Sequence, residues 1–402
     1  MINNTFSNWP SFTNEEANKA KEIILSNKVN YWTGNECRQF EKEFANFSNS
    51  KFAVAVSNGT VALDLAFHAI GIEHGDEIIV TSRTFLASVS SIVNSGAKPV
   101  FVDVSEDTQN FTSANIKAAI TTKTKAIVCV HLAGWACEMD EIMSIAKSYN
   151  FFVIEDCAQA HGAKYKGSSV GSIGHIGCWS FCQDKIMTTG GEGGMVTTND
   201  KNLWKTMWSF KDHGKSYDTV YNKKHPPGFR WLHDSFGTNW RMTEIQGAIG
   251  RIQLNKMSEW THKRNFNQNL IWQKASSLSG LRVPKFKCTA CTGCNNKNKC
   301  VHAAYKCYVF VKNESLNDGW DRDKIIDAIV AKGVPCFSGS CSEVYLEKAF
   351  DKTNFRPKKR LPVAKELGET SLMFLVHPTL TDKEIKLTCD TLSEVMKIAA
   401  KD

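Results

Sequence analysis

Seven short apolar runs rich in β-branched residues recur between residues 50 and 200, and they limit the fold more than any other feature of the chain. They are FAVAV (52–56), EIIVT (77–81), PVFVD (99–103), AIVCVH (126–131), FFVIED (151–156), GCWSF (177–181) and GMVTT (194–198). A strand with one face in water alternates polar and apolar residues, whereas a strand covered on both faces does not. Helical patterns lie between most of the runs. TVALDLAFHAIG opens after Gly59 and ends at Gly71, and ASVSSIVNSG ends at Gly96, each glycine standing where a helix C-cap needs one. Strands separated by helices imply an α/β fold with a mostly parallel central sheet, whose ligand lies at the carboxyl ends of its strands.

After residue 200 the pattern turns helical, with KNLWKTMWSFKDHG, MTEIQGAIGRIQLNKM and a segment from Glu259 to Ser277. A smaller α+β unit follows: YKCYVFV (305–311) reads as a strand, DRDKIIDAIVAKG as a helix ending at Gly333, and TDKEIKLTCDTLSEVMKIAA as a closing helix. Single cores stop growing at roughly 250 to 300 residues, so 402 residues suggest two domains. The expected division is a large domain over 1–260 and a small one over 261–402, the latter with a cysteine-rich insertion at 286–302.

Several classes are disfavoured. The N-terminal residues show no basic stretch followed by an apolar core, and no run of about 18 apolar residues occurs, so neither a targeting peptide nor a membrane span is expected. The expected location is the cytoplasm. Lysine and arginine number 49 against 41 acidic residues, a net charge of +8, but they are dispersed; the longest cluster is PKKR (357–360). No nucleic-acid partner is expected from that pattern, and an anionic small substrate fits the excess as well.

The chemistry concentrates in SFCQDKIMTTGGEGGM, residues 180–195, which sets Lys185 between a strand end and a glycine-rich loop. With EDCAQAHGA upstream, an acid (Asp156), an amide (Gln159), a hydroxyl (Ser180) and an amine (Lys185) stand on successive strand ends. That set suits pyridoxal phosphate: an amine to attack its aldehyde, and a buried carboxylate to pair with its pyridine nitrogen and keep the ring an electron sink. Each residue also has a plainer reading. Asp156 could cap the turn after its strand, Phe85 could be a core residue rather than a ring stacker, and Ser57-Asn58-Gly59-Thr60 could be a simple turn rather than a phosphate-holding helix start.

Taken together, VAVSNGTVALDLA, TFLASVSSIVNSGAKPVFVDV, VIEDCAQAHGA, SFCQDKIMTTGGEGGMVTTND and GTNWRMTEIQGAIGRIQL resemble the DegT/DnrJ/EryC1/StrS family of sugar aminotransferases, in the right order and over nearly the whole chain. The resemblance implies a fold-type-I, aspartate-aminotransferase-like architecture and a homodimer with active sites at the subunit interface. It implies that Lys185 carries the cofactor and serves as general base, and that Asp156 holds the pyridine nitrogen. Gln159 would lie beside the ring and Phe85 would stack on it. Gly59, Thr60 and Ser180 would hold the phosphate, joined by Asn239 of the partner subunit. The implied reaction moves an amino group, usually from L-glutamate, to a keto or aldehyde sugar. Nucleotide-linked keto-deoxyhexoses and an oxidised octulosonate are the acceptors considered, and FCQDKIMTTGGEGGM resembles a subgroup tied to lipopolysaccharide and capsule sugars.

Trp32 and His302 match regions that line the substrate cleft in relatives, although both also suit simple packing. Cys288, Cys291, Cys294 and Cys300 form an unusual cluster whose spacing admits no metal, structural zinc or an iron–sulfur cluster. Two alternatives follow: a sugar dehydratase with an iron–sulfur centre, or a non-catalytic regulator. Such dehydratases carry histidine in place of the lysine, and lysine stands at 185 here. The intact cofactor set likewise speaks for a working enzyme.

Overall fold

The computed structural model describes residues 6–228, 230–285 and 299–401. Each of the seven apolar runs forms a strand: β1 Phe52–Val56, β2 Glu77–Thr81, β3 Lys98–Val102, β4 Thr124–Val130 and β5 Phe152–Asp156, then, after a small ribbon of β6 Lys164–Tyr165 and β7 Ser168–Ser169, β8 Ile176–Ser180 and β9 Gly194–Thr198. They make one sheet in the order β1-β9-β8-β5-β4-β2-β3. β2, β3, β4, β5 and β8 are parallel, and β9 runs antiparallel to both β1 and β8. The expected α/β fold with a mostly parallel sheet is therefore present, with β9 as its reversed member.

Burial on both faces explains why the runs lack polar alternation. Ala53 and Ala55 of β1 pack into one core layer, while Val54 and Val56 pack into the other; Ile127 and Cys129 of β4 likewise oppose Ala126 and Val128. This is the two-residue period of a strand with apolar cover on each side. Helix Gly59–Ala69 returns from β1 along one face, and Gly71 beyond its end takes a positive φ of 65°. Gly96 closes helix Ala87–Asn94 in the same way, at φ 87°.

The two helical segments expected around 242–277 are one continuous helix, Glu244–Ser276, opened by a reciprocal cap between Thr243 and Gln246. Its glycines interrupt nothing, because they serve close packing. A Cβ on Gly247 would lie 2.9 Å from the Cys37 nitrogen, and one on Gly250 would lie 2.6 Å from Phe40. The expected division at 260 falls inside this helix. Beyond it lies an antiparallel sheet of β10 Leu281–Arg282, β11 Cys307–Val311, β12 Cys336–Phe337 and β13 Ser371–Phe374, in the order β10-β11-β13-β12. Helices Arg322–Ala331 and Asp382–Ala399 close over it around a core of their own. No helix of the described residues is long and apolar enough to cross a membrane.

Candidate active site

The carboxyl ends of β1, β5 and β8 open on a cavity of about 780 Å³, whose far wall comes from the start of β11 and the loop at Gly339–Cys341. Seven of the residues expected at a cofactor site line it: Gly59, Thr60, Phe85, Asp156, Gln159, Ser180 and Lys185.

At one end, β1 runs into helix Gly59–Ala69 through Asn58, whose side chain caps the helix by accepting from the Val61 amide at 2.9 Å. The first amides of such a helix have no intrahelical acceptor and carry partial positive charge. Ser180, the last residue of β8, sits against this start so closely that a Cβ on Gly59 would lie 2.6 Å from the Ser180 Cβ. Gly194 meets it from the other side, where a Cβ would lie 2.3 Å from the Asn58 carbonyl oxygen. Glycines at both contacts let a helix start and a serine hydroxyl converge, and this cradle fits a phosphate group.

Asp156 ends β5 as a buried carboxylate. Its Oδ2 accepts from the Ser88 hydroxyl at 2.7 Å and its Oδ1 from the Ala158 amide at 3.1 Å. Ser88 is itself 2.8 Å from the Thr84 hydroxyl. Asp156 thus does bond the turn after its strand, and it also faces the cavity. Gln159 Oε1 accepts from the Ala133 amide at 2.8 Å, which fixes that side chain. Phe85 is 69 % exposed and lies on the cavity wall, so it is not a core residue. A buried, oriented carboxylate that can accept from a ring N–H and an exposed aromatic face that can stack are the partners a protonated aromatic heterocycle requires.

Lys185 projects from the loop between β8 and β9, with its side chain only 16 % exposed. Gly190 and Gly191 turn that loop at φ 90° and 120°, and the Lys185 carbonyl accepts from the Trp9 indole at 2.8 Å. The Lys185 amine lies 3.5 Å from the Tyr305 hydroxyl and 3.6 Å from Asp184 Oδ1. The Tyr305 hydroxyl donates to Asp184 Oδ2. Burial and the adjacent Asp184 charge push the Tyr305 phenol well above its ordinary range. Burial opposes ionisation of Asp184, but Lys185, the Tyr305 bond and Lys306 outweigh it and hold that carboxyl below its ordinary value. The amine therefore stands beside a fixed anion and a protonated phenol. Close by, burial, reinforced by Lys185 and Arg264, pushes His161 down to about 3, so its imidazole is neutral against Trp179 and Phe181.

Three expected residues lie elsewhere. Trp32 does not line the cavity; its indole donates to Asp212 Oδ2 at 2.8 Å, in a cluster where Lys215 and Arg241 also reach Asp212. His302 is buried between Trp135 and Trp272, accepts from the Ala304 amide at 2.7 Å, and is pushed down to about 3 by burial. For both, the packing reading fits the structure. Asn239 is exposed and pairs its backbone with Asp212, away from this chain's own cavity. Of the cysteine cluster, Cys288, Cys291 and Cys294 lie outside the described residues, and Cys300 Sγ accepts from the Lys166 amide at 3.3 Å. Neither the described residues nor the comparisons below support a zinc ion. His131, Glu155 and Cys157 do converge, but Glu155 already accepts from His131 and from the amides of Gly171, Ile173 and Gly174.

Sequence reasoning missed Ser88, Asp184, Tyr305, Lys306, Tyr308 and Ser340. Hydroxyls in TFLASVSS and the polar start of YKCYVFV were visible signals, but only the fold brings them to Asp156 and Lys185.

The profile of the DegT/DnrJ/EryC1/StrS aminotransferase family matches residues 10–393. The chain belongs to that family. It is 35 % identical over 385 residues to the GDP-perosamine synthase of Escherichia coli O157:H7, covering 96 % of each chain. It is 37 % identical over 362 residues to the GDP-perosamine synthase of Caulobacter vibrioides, covering 89 % of each. Among solved structures it is similar to an aminotransferase from Psychrobacter cryohalolentis, with 60 % identity, a TM-score of 0.93 and coverage of 98 % and 99 %. The expected aminotransferase assignment and fold are thereby borne out.

Proposed function

We propose that this aminotransferase holds pyridoxal phosphate on Lys185 and transfers the amino group of an amino acid, L-glutamate, to the keto or aldehyde carbon of a sugar. The acceptor is proposed to be a nucleotide-linked keto-deoxyhexose or an oxidised octulosonate that feeds surface-polysaccharide synthesis. The observation that carries the reading is the convergence of Lys185, Asp156, Phe85 and the Gly59–Ser180 cradle on one cavity. The names of the two perosamine synthases support a nucleotide-linked sugar as the acceptor.

When bound, the cofactor supplies an electron sink that delocalises the charge left on the donor Cα. The protein's residues do the rest. Gly59, Thr60 and Ser180 hold the phosphate, and Phe85 covers one face of the ring. Asp156, fixed by Ser88 and Ala158, holds a proton on the ring nitrogen and keeps the sink effective. With the cofactor bound, the donor's amine would take the place of the Lys185 amine, leaving that amine free beside the donor Cα. Lys185 would then hold the proton taken from Cα and return it from the same face. Asp184 and Tyr305, 3.6 and 3.5 Å away, orient that amine. The exposed Asn239 is proposed to reach the phosphate of a second copy, making a homodimer the working unit.

Protein reconstituted with pyridoxal phosphate should show a visible band that decays on addition of L-glutamate and returns with 2-oxoglutarate. Lys185→Ala should lose both responses, and amine transfer surviving in that variant would sink the assignment.

A further inference from the structure

Lys306 lines the cavity but has no part in the chemistry above. It stands just before β11, beside Tyr305, and among the described residues it has no carboxylate within salt-bridge reach and no hydrogen bond. Its amine is 5.0 Å from the centre of the Tyr305 ring, and the Lys185 amine is 5.2 Å from the same centre. The two amines are thus within about 10 Å of each other. The wall around Lys306 is firmly built. The Tyr308 hydroxyl lies 3.1 Å from the Ser340 hydroxyl and accepts from the Ser340 amide at 2.8 Å, and Gly339 packs so tightly that a Cβ would lie 2.4 Å from the Tyr308 ring.

The charges lining the cavity make an unequal set. Asp156, Asp184 and Glu192 are acidic, and Lys185 and Lys306 are the cations among the described lining residues. An incoming amino acid brings one or two carboxylates into this space and must find a positive partner for them. Lys185 is engaged with the reacting amine, which leaves Lys306 among the described lining residues of this chain. Burial disfavours its charge, Asp184 offsets part of that, and Arg264 and Lys185 add repulsion, so the amine is pushed down to about 8. It still carries its proton near neutrality, and a bound carboxylate would relieve the unpaired charge.

Building on the transamination reading, we infer that Lys306 anchors a carboxylate of the amino-acid donor while the donor's amine takes the place of the Lys185 amine. The same charge could instead serve the phosphates of a nucleotide-linked acceptor. Its closeness to Lys185, where every donor must react, favours the donor.

The test is calorimetric binding of glutarate, an unreactive dicarboxylate, and separately of GDP, to the cofactor-loaded wild type and to Lys306→Met, Lys306→Gln and Lys306→Arg. Glutarate should bind the wild type and Lys306→Arg, and bind at least tenfold more weakly to the Met and Gln variants, with GDP affinity unchanged. The KM for L-glutamate should rise in parallel in the two neutral variants. Equal glutarate binding in all four proteins, no glutarate binding to the wild type, or a selective loss of GDP would overturn the inference. The visible cofactor band separates the two levels: its absence from the wild type removes the transamination reading, while its presence with unchanged glutarate binding removes only the anchor.

Discussion

Replacing Gly59 with alanine tests whether the junction of β1, β8 and helix Gly59–Ala69 is a phosphate cradle. The new methyl would lie 2.6 Å from the Ser180 Cβ, 3.0 Å from its hydroxyl oxygen and 3.1 Å from its Cα. Carbon atoms in ordinary contact sit about 3.5 to 4.0 Å apart, so the helix start and the strand end must part by roughly 1 Å. A phosphate held between them at about 2.9 Å per contact would keep one side and lose the other. A hydrogen bond to a charged group contributes about 1.5 to 3 kcal/mol, and 1.4 kcal/mol is tenfold in affinity. Gly59→Ala should therefore weaken pyridoxal phosphate binding by roughly 10- to 100-fold. The assay is titration of the cofactor-free protein, followed by absorbance, with inorganic phosphate competing in the wild type and much less in the variant. Thermal unfolding of the cofactor-free forms checks that the fold is intact. A dissociation constant within about twofold of the wild type in a folded variant would refute the reasoning.

Three further outcomes follow from the same geometry. Ser88→Ala removes one of the two donors to Asp156, and loss of a bond to a buried carboxylate costs about 1.5 to 3 kcal/mol; transamination should slow about tenfold or more, Ser88→Thr should recover part of it, and unchanged rates would show that Asp156 is positioned otherwise. Buried His131 accepts from the Cys137 amide at Nδ1, 3.1 Å away, and donates from Nε2 to Glu155 at 2.9 Å, so a neutral ring serves both partners. His131→Phe removes one donor from Glu155, which keeps the amides of Gly171, Ile173 and Gly174; chemical unfolding should show a loss of about 1.5 to 3 kcal/mol that is the same at pH 6 and pH 9, and a loss that changes between them would show a charged ring. Trp32→Phe removes one bond to Asp212, which retains Lys215 and Arg241; stability should fall by about 1.5 to 3 kcal/mol while the half-reaction with L-glutamate is unaltered, and a change in that half-reaction would return Trp32 to the substrate cleft.

The sheet was legible because its physics is local. A strand such as FFVIED, buried on both faces, is apolar until its last two residues, where Glu155 is satisfied by His131 and three backbone amides and Asp156 faces the cavity. Gly71, Gly96 and Gly333 mark helix ends because a positive φ is needed there. Other glycines serve contact instead: Gly247 and Gly250 admit Cys37 and Phe40 to a helix that runs on for 33 residues. The near side of the site was readable from single motifs around Lys185 and Asp156. The far side was not, because Tyr305, Lys306 and Ser340 reach the cavity through pairing of β11 with β13 and through the loop after β12. Nothing in YKCYVFV alone tells a strand-leading lysine in solvent from one beside Lys185. Trp32 and His302 illustrate the same limit, since a polar ring atom satisfied by Asp212 or by the Ala304 amide looks in sequence like one awaiting a substrate.

The most direct test of the central claim is chemical trapping of the cofactor lysine. Wild-type protein reconstituted with pyridoxal phosphate is reduced with borohydride, digested and mapped by mass spectrometry. The account predicts a phosphopyridoxyl group on the peptide containing Lys185. A label on another lysine of the folded protein, or none, would contradict it.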